Sequence, residues 1–337
     1  MFADTPNKEL IRKLWDHSIL RQFAGSSTER LSYFGMPGPR IRDFIDWDNL
    51  LSSKTAVQIV RTGAKREEDL QTVTKLLASV EEHNIADVQV LRGSVEEIIL
   101  RGHDMDENPP RLSRREASGK LSFSYDFVNL DFEGGAGYKQ RRGGKASEHS
   151  GGQRLDAIRK LLDRQQGHSF ILFLTVNVRD TLGDEPLRYL EETAKRIQNP
   201  TVQEIVQWTM RLNPEGYKHY QLKTWIPLFI KDESESRRFY CYSYPPVFYE
   251  GHEQAKMVHF AFRLEFDNNR DLRVSSEQDE GRLAHLPLME SANGEIRVAT
   301  TQPPCFDGSK CLKDFDFLDK ATRRKIINSL SSTGVVA

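Results

Sequence analysis

Eight consecutive residues, Ser169-Phe170-Ile171-Leu172-Phe173-Leu174-Thr175-Val176, most restrict what this chain can fold into. A strand with no apolar–polar alternation is buried on both faces, as in the middle of a parallel sheet covered by helices. Asn177, Arg179 and Asp180 mark its polar end. Parallel neighbours need long crossovers, so the rest of the chain should alternate strand and helix.

It does. Leu31 to Phe34 reads as the first strand, followed by the turn Gly35-Met36-Pro37-Gly38-Pro39 and a helix over Arg40 to Leu51 with Ile41, Phe44, Ile45, Trp47 and Leu50 inward. Thr55 to Val60 is the second strand. It leads into a helix from Glu67 to Glu82 with Leu70, Val73, Leu76, Leu77 and Val80 on one face. Val88 to Leu91 is the third strand, closed by Arg92-Gly93-Ser94, and Val95 to Leu100 starts another helix. The fourth strand begins near Ser124 and ends in Asn129-Leu130-Asp131-Phe132-Glu133-Gly134-Gly135. A helix over Gln153 to Gln165, burying Leu155, Ile158, Leu161 and Leu162, precedes the fifth strand.

Two helices follow, Pro186 to Ile197 and Val202 to Leu212. Then come strands over Tyr220 to Phe229 and Met257 to Phe266, with Phe239 to Tyr244 between them, paired antiparallel at one sheet edge. The aromatic stretch Phe239 to Tyr249 is either core at that edge or a wall against substrate. Beyond Asp267 a partly irregular tail is expected, with a weak helix near Lys320 to Leu330. The expected fold is α/β, a mainly parallel doubly wound sheet of about seven strands with an antiparallel edge. Residues 31–266 form that domain, residues 1–30 a helical extension before it, and 267–337 an extension after it. In the first extension, Leu10, Ile11, Leu14, Trp15, Ile19 and Leu20 make Asn7 to Phe23 an amphipathic helix, packing on the main domain or on a partner.

With 48 Lys and Arg against 49 Asp and Glu, no global field draws the protein to nucleic acid or membrane. The three cysteines, Cys241, Cys305 and Cys311, match no zinc spacing, so no metal site is expected and the thiols suit a reducing compartment. Met1 to Leu10 lacks the apolar core of a signal peptide, and no apolar run nears the roughly 18 residues that span a bilayer. A cytoplasmic location without membrane contact is the expectation.

In an open parallel sheet, ligands bind at the carboxyl ends of the strands. Gly35 and Gly38 let the backbone approach a ligand there, or simply make a tight turn. Asn129 and Asp131 offer polar groups at the end of the fourth strand, or cap neighbouring backbone. Gly137-Tyr138-Lys139-Gln140-Arg141-Arg142-Gly143-Gly144-Lys145 is a basic glycine-rich loop, suited to phosphates or to solvent. No phosphate loop of the Gly-x-x-x-x-Gly-Lys-[Ser/Thr] type is present, which excludes the commonest nucleotide hydrolases among other Rossmann-like enzymes.

This layout resembles the class I S-adenosylmethionine-dependent methyltransferases over roughly residues 31 to 266, through element order and two short motifs. The resemblance implies S-adenosylmethionine as cofactor. Gly35, Pro37 and Gly38 would lie beside its amino acid part, although the acidic residue that usually precedes those glycines is absent. Arg61 stands near the second-strand end, where the family places a carboxylate for the ribose, and Gly93 and Ser94 stand near the adenine position. Asn129-Leu130-Asp131-Phe132-Glu133-Gly134 looks like the Asp-Leu-Asp-Pro-Phe-Gly motif of tRNA guanine-N2 methyltransferases, and more distantly like the Asn-Pro-Pro-Tyr motif of base N-methyltransferases, without the proline. By that likeness Asp131, then Asn129, would hold the acceptor, Phe132 would stack on a base, and Lys139, Arg141, Arg142 and Lys145 would meet a nucleic acid substrate. Two expectations follow. One is a methyltransferase acting on nucleic acid or another macromolecule. The other is a silent methyltransferase-like scaffold, an interaction subunit of a bacterial multi-protein system, with the N-terminal helix and C-terminal extension as partner surfaces.

Overall fold

A ten-stranded sheet runs through the protein and carries helices on both faces. The structure, a computed structural model, describes residues 5–25, 30–60, 65–102, 104, 123–132, 140–142, 145–147, 149–178, 184–197, 199–212, 214–269, 283, 286–299, 301–302, 306 and 308–332.

The chain opens with α1 (Pro6–Leu10), a π-helical stretch (Ile11–Asp16) and α2 (His17–Ala24) in direct succession. Then come β1 (Leu31–Gly35), α3 (Arg42–Trp47), β2 (Leu51–Gln58), α4 (Arg66–Glu82), β3 (Val88–Arg92), α5 (Val95–Arg101) and β4 (Phe127–Asp131). A small antiparallel hairpin, β5 (Gln140–Arg142) and β6 (Lys145–Ser147), stands where a basic loop was expected. α6 (His149–Arg164) and β7 (Phe170–Asn177) follow. The parallel strands lie in the order β3-β2-β1-β4-β7, so the chain reverses direction across the sheet between β1 and β4. A ligand crevice opens at that switch point in open α/β sheets.

After β7 come α7 (Asp184–Arg196), α8 (Pro200–Arg211) and α9 (Pro214–Glu235). The antiparallel edge is built by β8 (Phe239–Ser243), β9 (Val247–Glu250) and β10 (Lys256–Phe266). β10 lies antiparallel beside β7, and β8 and β9 pair with its two halves. The break between them falls at Pro245 and Pro246, which have no N–H to give to a ladder. This is the α/β layout expected from the sequence: five parallel strands with antiparallel strands along one edge. The sheet then continues through a hairpin the sequence reading missed, β11 (Met289–Ala292) and β12 (Glu295–Val298), with β11 parallel to β9. α10 (Lys320–Ser332) is the last described element.

One expected element is wrong in kind. Tyr220 to Phe229 is the middle of α9, not a strand. Tyr220, Leu222, Trp225, Ile226, Leu228, Phe229 and Ile230 are all buried, and Gln221, Lys223 and Lys231 with them. A helix enclosed on all sides has no apolar stripe to read, and Pro227 hides it further. Residues 40–51, expected as one helix, divide into α3 and the start of β2.

Strand parity decides which face each side chain serves. Phe34, Val128, Leu130, Phe132, Leu172, Leu174 and Phe260 pack with α5, α6 and α9 on one face. Tyr33, Phe127, Ile171, Phe173 and Ala261 pack on the other with Trp47, Leu76 and the N-terminal helix. There Ile11, Trp15, Ile19 and Leu20 are sealed in, and the Trp15 ring meets Phe317 edge-on with centroids 4.9 Å apart. Most of the helix's apolar stripe therefore packs on the main domain, with Leu10 and Leu14 half-buried against it. Among the described residues no helix is long and apolar enough to cross a membrane.

Candidate functional site

The carboxyl ends of β1, β4 and β7 and the amino end of the antiparallel β10 meet the N-terminal helix around an open cleft. Register aligns its floor. Gly35 pairs with Asn129, Asp131 with Thr175, and Thr175 with His259, so Asp131, Thr175 and His259 form one row across three strands. Met36 to Arg40, Asp43 and Trp47 make one wall, Tyr249 of β9 another, and Lys8, Ile11, Arg12 and Asp16 the roof.

The roof is held by charge. Lys8, Arg12 and Asp16 recur every four residues and so share one helix face. Lys8 Nζ donates to Asp131 Oδ2. Arg12 Nε donates to Asp46 Oδ2 at 2.5 Å, with Nη1 3.9 Å from Asp43 Oδ1. Asp16 Oδ1 lies 2.8 Å from His259 Nε2, and His259 Nδ1 lies 2.9 Å from the Thr175 hydroxyl. In the neutral ring this suits Nε2–H donating to the carboxylate while Nδ1 accepts from Thr175. The π-helical turn lies in the middle of this roof, where such bulges often mark functional sites. The Arg12 carbonyl there accepts from both the His17 amide and Trp47 Nε1.

Asp43 is the hub beneath. Its Oδ2 accepts from the Tyr33 hydroxyl at 3.0 Å and from Asn129 Nδ2 at 2.8 Å. Burial lifts the Asp43 carboxyl above its ordinary range, against the pull of Arg12, Lys8, Tyr33 and Asn129. Burial, then the Asp43 charge, pushes the Tyr33 phenol well up. Burial raises the Tyr249 phenol too, with Lys8 opposing. For Lys8 the balance is reversed. Burial disfavours its charge, but Asp131, Tyr249 and Asp43 outweigh it and hold the ammonium above its usual range.

Several expected site residues meet here: Gly35 ends β1, Pro37 and Gly38 line the wall, and Asn129 and Asp131 lie on the floor. A side chain on Gly35 would put its Cβ 2.5 Å from the Asn129 carbonyl and 2.6 Å from the Tyr33 hydroxyl. The glycine thus admits close β1–β4 contact and the Tyr33 phenol. The first turn carries no acid of its own, and Asp43 of α3 lines the same wall of the cleft.

Phe132 is placed differently. Adjacent strand residues face opposite sides, so Phe132 turns from the cleft into the α5–α6 face, beneath the Arg154 guanidinium 5.1 Å from its ring centre. No base can stack on it there. Gly93 gives its N–H to the Gln58 carbonyl, and Ser94 caps α5 by accepting from the Glu97 amide, so both have structural duties. Arg61 and Lys139 lie outside the described residues, and Arg141, Arg142 and Lys145 lie on the β5–β6 hairpin. The sequence reading passed over Lys8, Arg12, Asp16, Asp43, Thr175 and His259, and took Tyr249 only as the end of an aromatic stretch. Its available signals were the four-residue charge spacing and a lone histidine inside an apolar strand.

No protein-family model and no curated protein matches the chain. Solved structures resemble it at low similarity. An rRNA methylase from Streptococcus thermophilus is 12% identical, with a TM-score of 0.34 over 79% of this chain and 99% of that one. A precorrin-6y C5,15-methyltransferase from Geobacter metallireducens is 11% identical, with a TM-score of 0.34 over 78% and 94%. An O-methyltransferase from Bacillus cereus, in complex with SAH, is 10% identical, with a TM-score of 0.35 over 77% and 91%. Likeness at this level carries nothing about activity to this chain.

Proposed function

We propose that the protein is an S-adenosylmethionine-dependent methyltransferase acting on nucleic acid or another macromolecule. The observation that carries this reading is the row of Asp131, Thr175 and His259 at the switch-point crevice, beside the Gly35 turn and its acid Asp43. The cofactor fits in part. Asp43 would hold the ammonium of its amino acid end, whereas β2 ends in the amide Gln58 where a ribose-binding carboxylate was expected. When bound, the cofactor supplies an electrophilic methyl group on a sulfonium. Asp131 would accept an N–H of the acceptor, aim its lone pair and take up the proton as charge develops, so that catalysis is mostly positioning. The Asn129 amide, already turned onto Asp43, would fix that carboxylate.

A second reading is a silent scaffold. Lys8 and Arg12, which already occupy the acids of the cleft, favour it. Titration calorimetry with S-adenosylmethionine separates the two, since no heat at millimolar cofactor sinks the enzyme. Given binding, Asp131→Asn should abolish methyl transfer and leave affinity nearly intact. Turnover retained in that variant would remove Asp131 from the site. For a nucleic acid substrate, neutralising Lys139, Arg141, Arg142 and Lys145 should flatten the salt dependence of binding; an unchanged slope would rule that loop out.

A further inference from the structure

We infer that Asp131, together with Tyr249, forms a subsite for a primary alkylammonium group, and that Lys8 is its built-in occupant. Asp131 is nearly buried, and its carboxylate already receives an ammonium in ion-pair geometry. The Lys8 side chain is 32% exposed, so a lysine-like chain reaches the subsite from the mouth of the cleft. The ionisable groups that line the cleft around it are Asp131 from β4, Asp43 and Arg42 from α3, Arg40 before it, Tyr249 from β9, His259 from β10, and Arg12 and Asp16 on the roof itself. Carboxylates lie under the tip; of the three guanidiniums that line the cleft, Arg12 is turned to Asp46 and Asp43, and Arg40 and Arg42 stand on the wall that runs from Met36 to Asp43. Such a site selects a cation.

The occupant is built to leave. α1 has no fully buried residue, and its ties to the body include Lys8, a hydrogen bond from Asn7 Nδ2 to the Glu250 carbonyl at 3.3 Å and the half-buried Leu10. The anchored part of the helix starts only at Ile11, the first residue of the π-helical turn. Lifting α1 at that turn exposes Asp131 and, of α1's own residues, frees only the half-buried Leu10 from the core. A planar base is the poorer occupant. Phe132 faces the other side of the sheet, and the rings that line the cleft, Trp47 and Tyr249, are themselves buried.

This deepens the proposed function by naming its acceptor as an alkylamine, as on a lysine side chain: the bound ammonium would first give one proton to Asp131, and the lone pair so freed would form the new C–N bond as the sulfonium's S–C bond breaks; ammonium binding itself does not need methyl transfer. The test uses the full chain with Lys8→Ala and n-butylammonium chloride as probe, read by thermal melting. The variant should melt lower than the parent and be raised several degrees, saturably, by the probe. The parent should respond little, because Lys8 competes. Adding Asp131→Asn to the variant should abolish the shift. If Lys8→Ala fails to fold, Lys8→Met keeps the stem and removes the charge, and it should respond in the same way. An equal shift from n-butanol, or an equal shift in the parent, overturns the subsite. A shift from adenosine but none from the ammonium also overturns it and points to a planar acceptor. An ammonium shift without S-adenosylmethionine binding keeps the subsite and removes the methyltransferase.

Discussion

His259 Nε2 lies 2.8 Å from Asp16 Oδ1 across 243 residues of chain, and both side chains are almost sealed from solvent. The contact ties the first helix to β10 and, through His259 Nδ1, to Thr175 on β7. Removing one partner leaves the other buried and unpaired, which costs about 1–3 kcal/mol. Asp16→Ala should lower the stability by that amount in urea melts, while Asp16→Asn keeps an acceptor oxygen and should lose less. Equal midpoints for parent and Asp16→Ala would show that the contact contributes nothing.

Gly35 admits no side chain. An added Cβ would meet the Asn129 carbonyl at 2.5 Å, and backbone in a paired strand cannot step aside as a flexible side chain does. Gly35→Ala should cost roughly 1–3 kcal/mol, the usual range for overpacking. Tyr33→Phe in the same chain removes the hydroxyl at 2.6 Å but not the carbonyl, so it should restore only part of the loss in differential scanning calorimetry. Full rescue would place the conflict on the phenol alone.

What was legible in the sequence follows from these geometries. The parallel core could be read because β7 has no polar face and the helices before it do. Asp131 could be placed at a strand end because glycines follow it. Its ring partner could not, because the reading took Asp131 and Phe132 as one motif, and strand parity sends neighbours to opposite faces. The roof was harder. Lys8, Arg12 and Asp16 stand on one helix face in plain view, but a polar stripe beside Ile11, Trp15 and Ile19 reads as solvent. Only tertiary structure brings Asp131, Asp46 and His259 beneath it. α9 was missed for the opposite reason, since burial on every side erases the helical period.

Arg12 carries the middle of that roof. It is paired with Asp46 at 2.5 Å and lies 3.9 Å from Asp43, and all three side chains are at most 10% exposed. Losing one member of a buried pair leaves uncompensated charge and typically costs about 3–5 kcal/mol. Arg12→Met should destabilise by that order in chemical denaturation, and adding Asp46→Asn should recover a substantial part. Additive losses in the double variant would mean that Arg12 acts by packing, not by charge.

His219 sets an acid limit on stability. Its ring lies stacked on Phe248 at 4.7 Å and 27°, with the Tyr220 ring 4.4 Å away. Burial first, and the Lys256 charge second, lower its pKa from 6.5 to about 4. Between those values the unfolded chain binds the proton and the folded one does not, so this group removes stability as pH falls through that window. The slope approaches about 1.4 kcal/mol per pH unit within it and vanishes above and below. His219→Phe keeps a flat ring for the stack and cannot titrate. Urea midpoints followed from neutral pH to about pH 4 should therefore fall less steeply in the variant than in the parent. Parallel curves would mean that His219 takes up its proton without resistance from the fold.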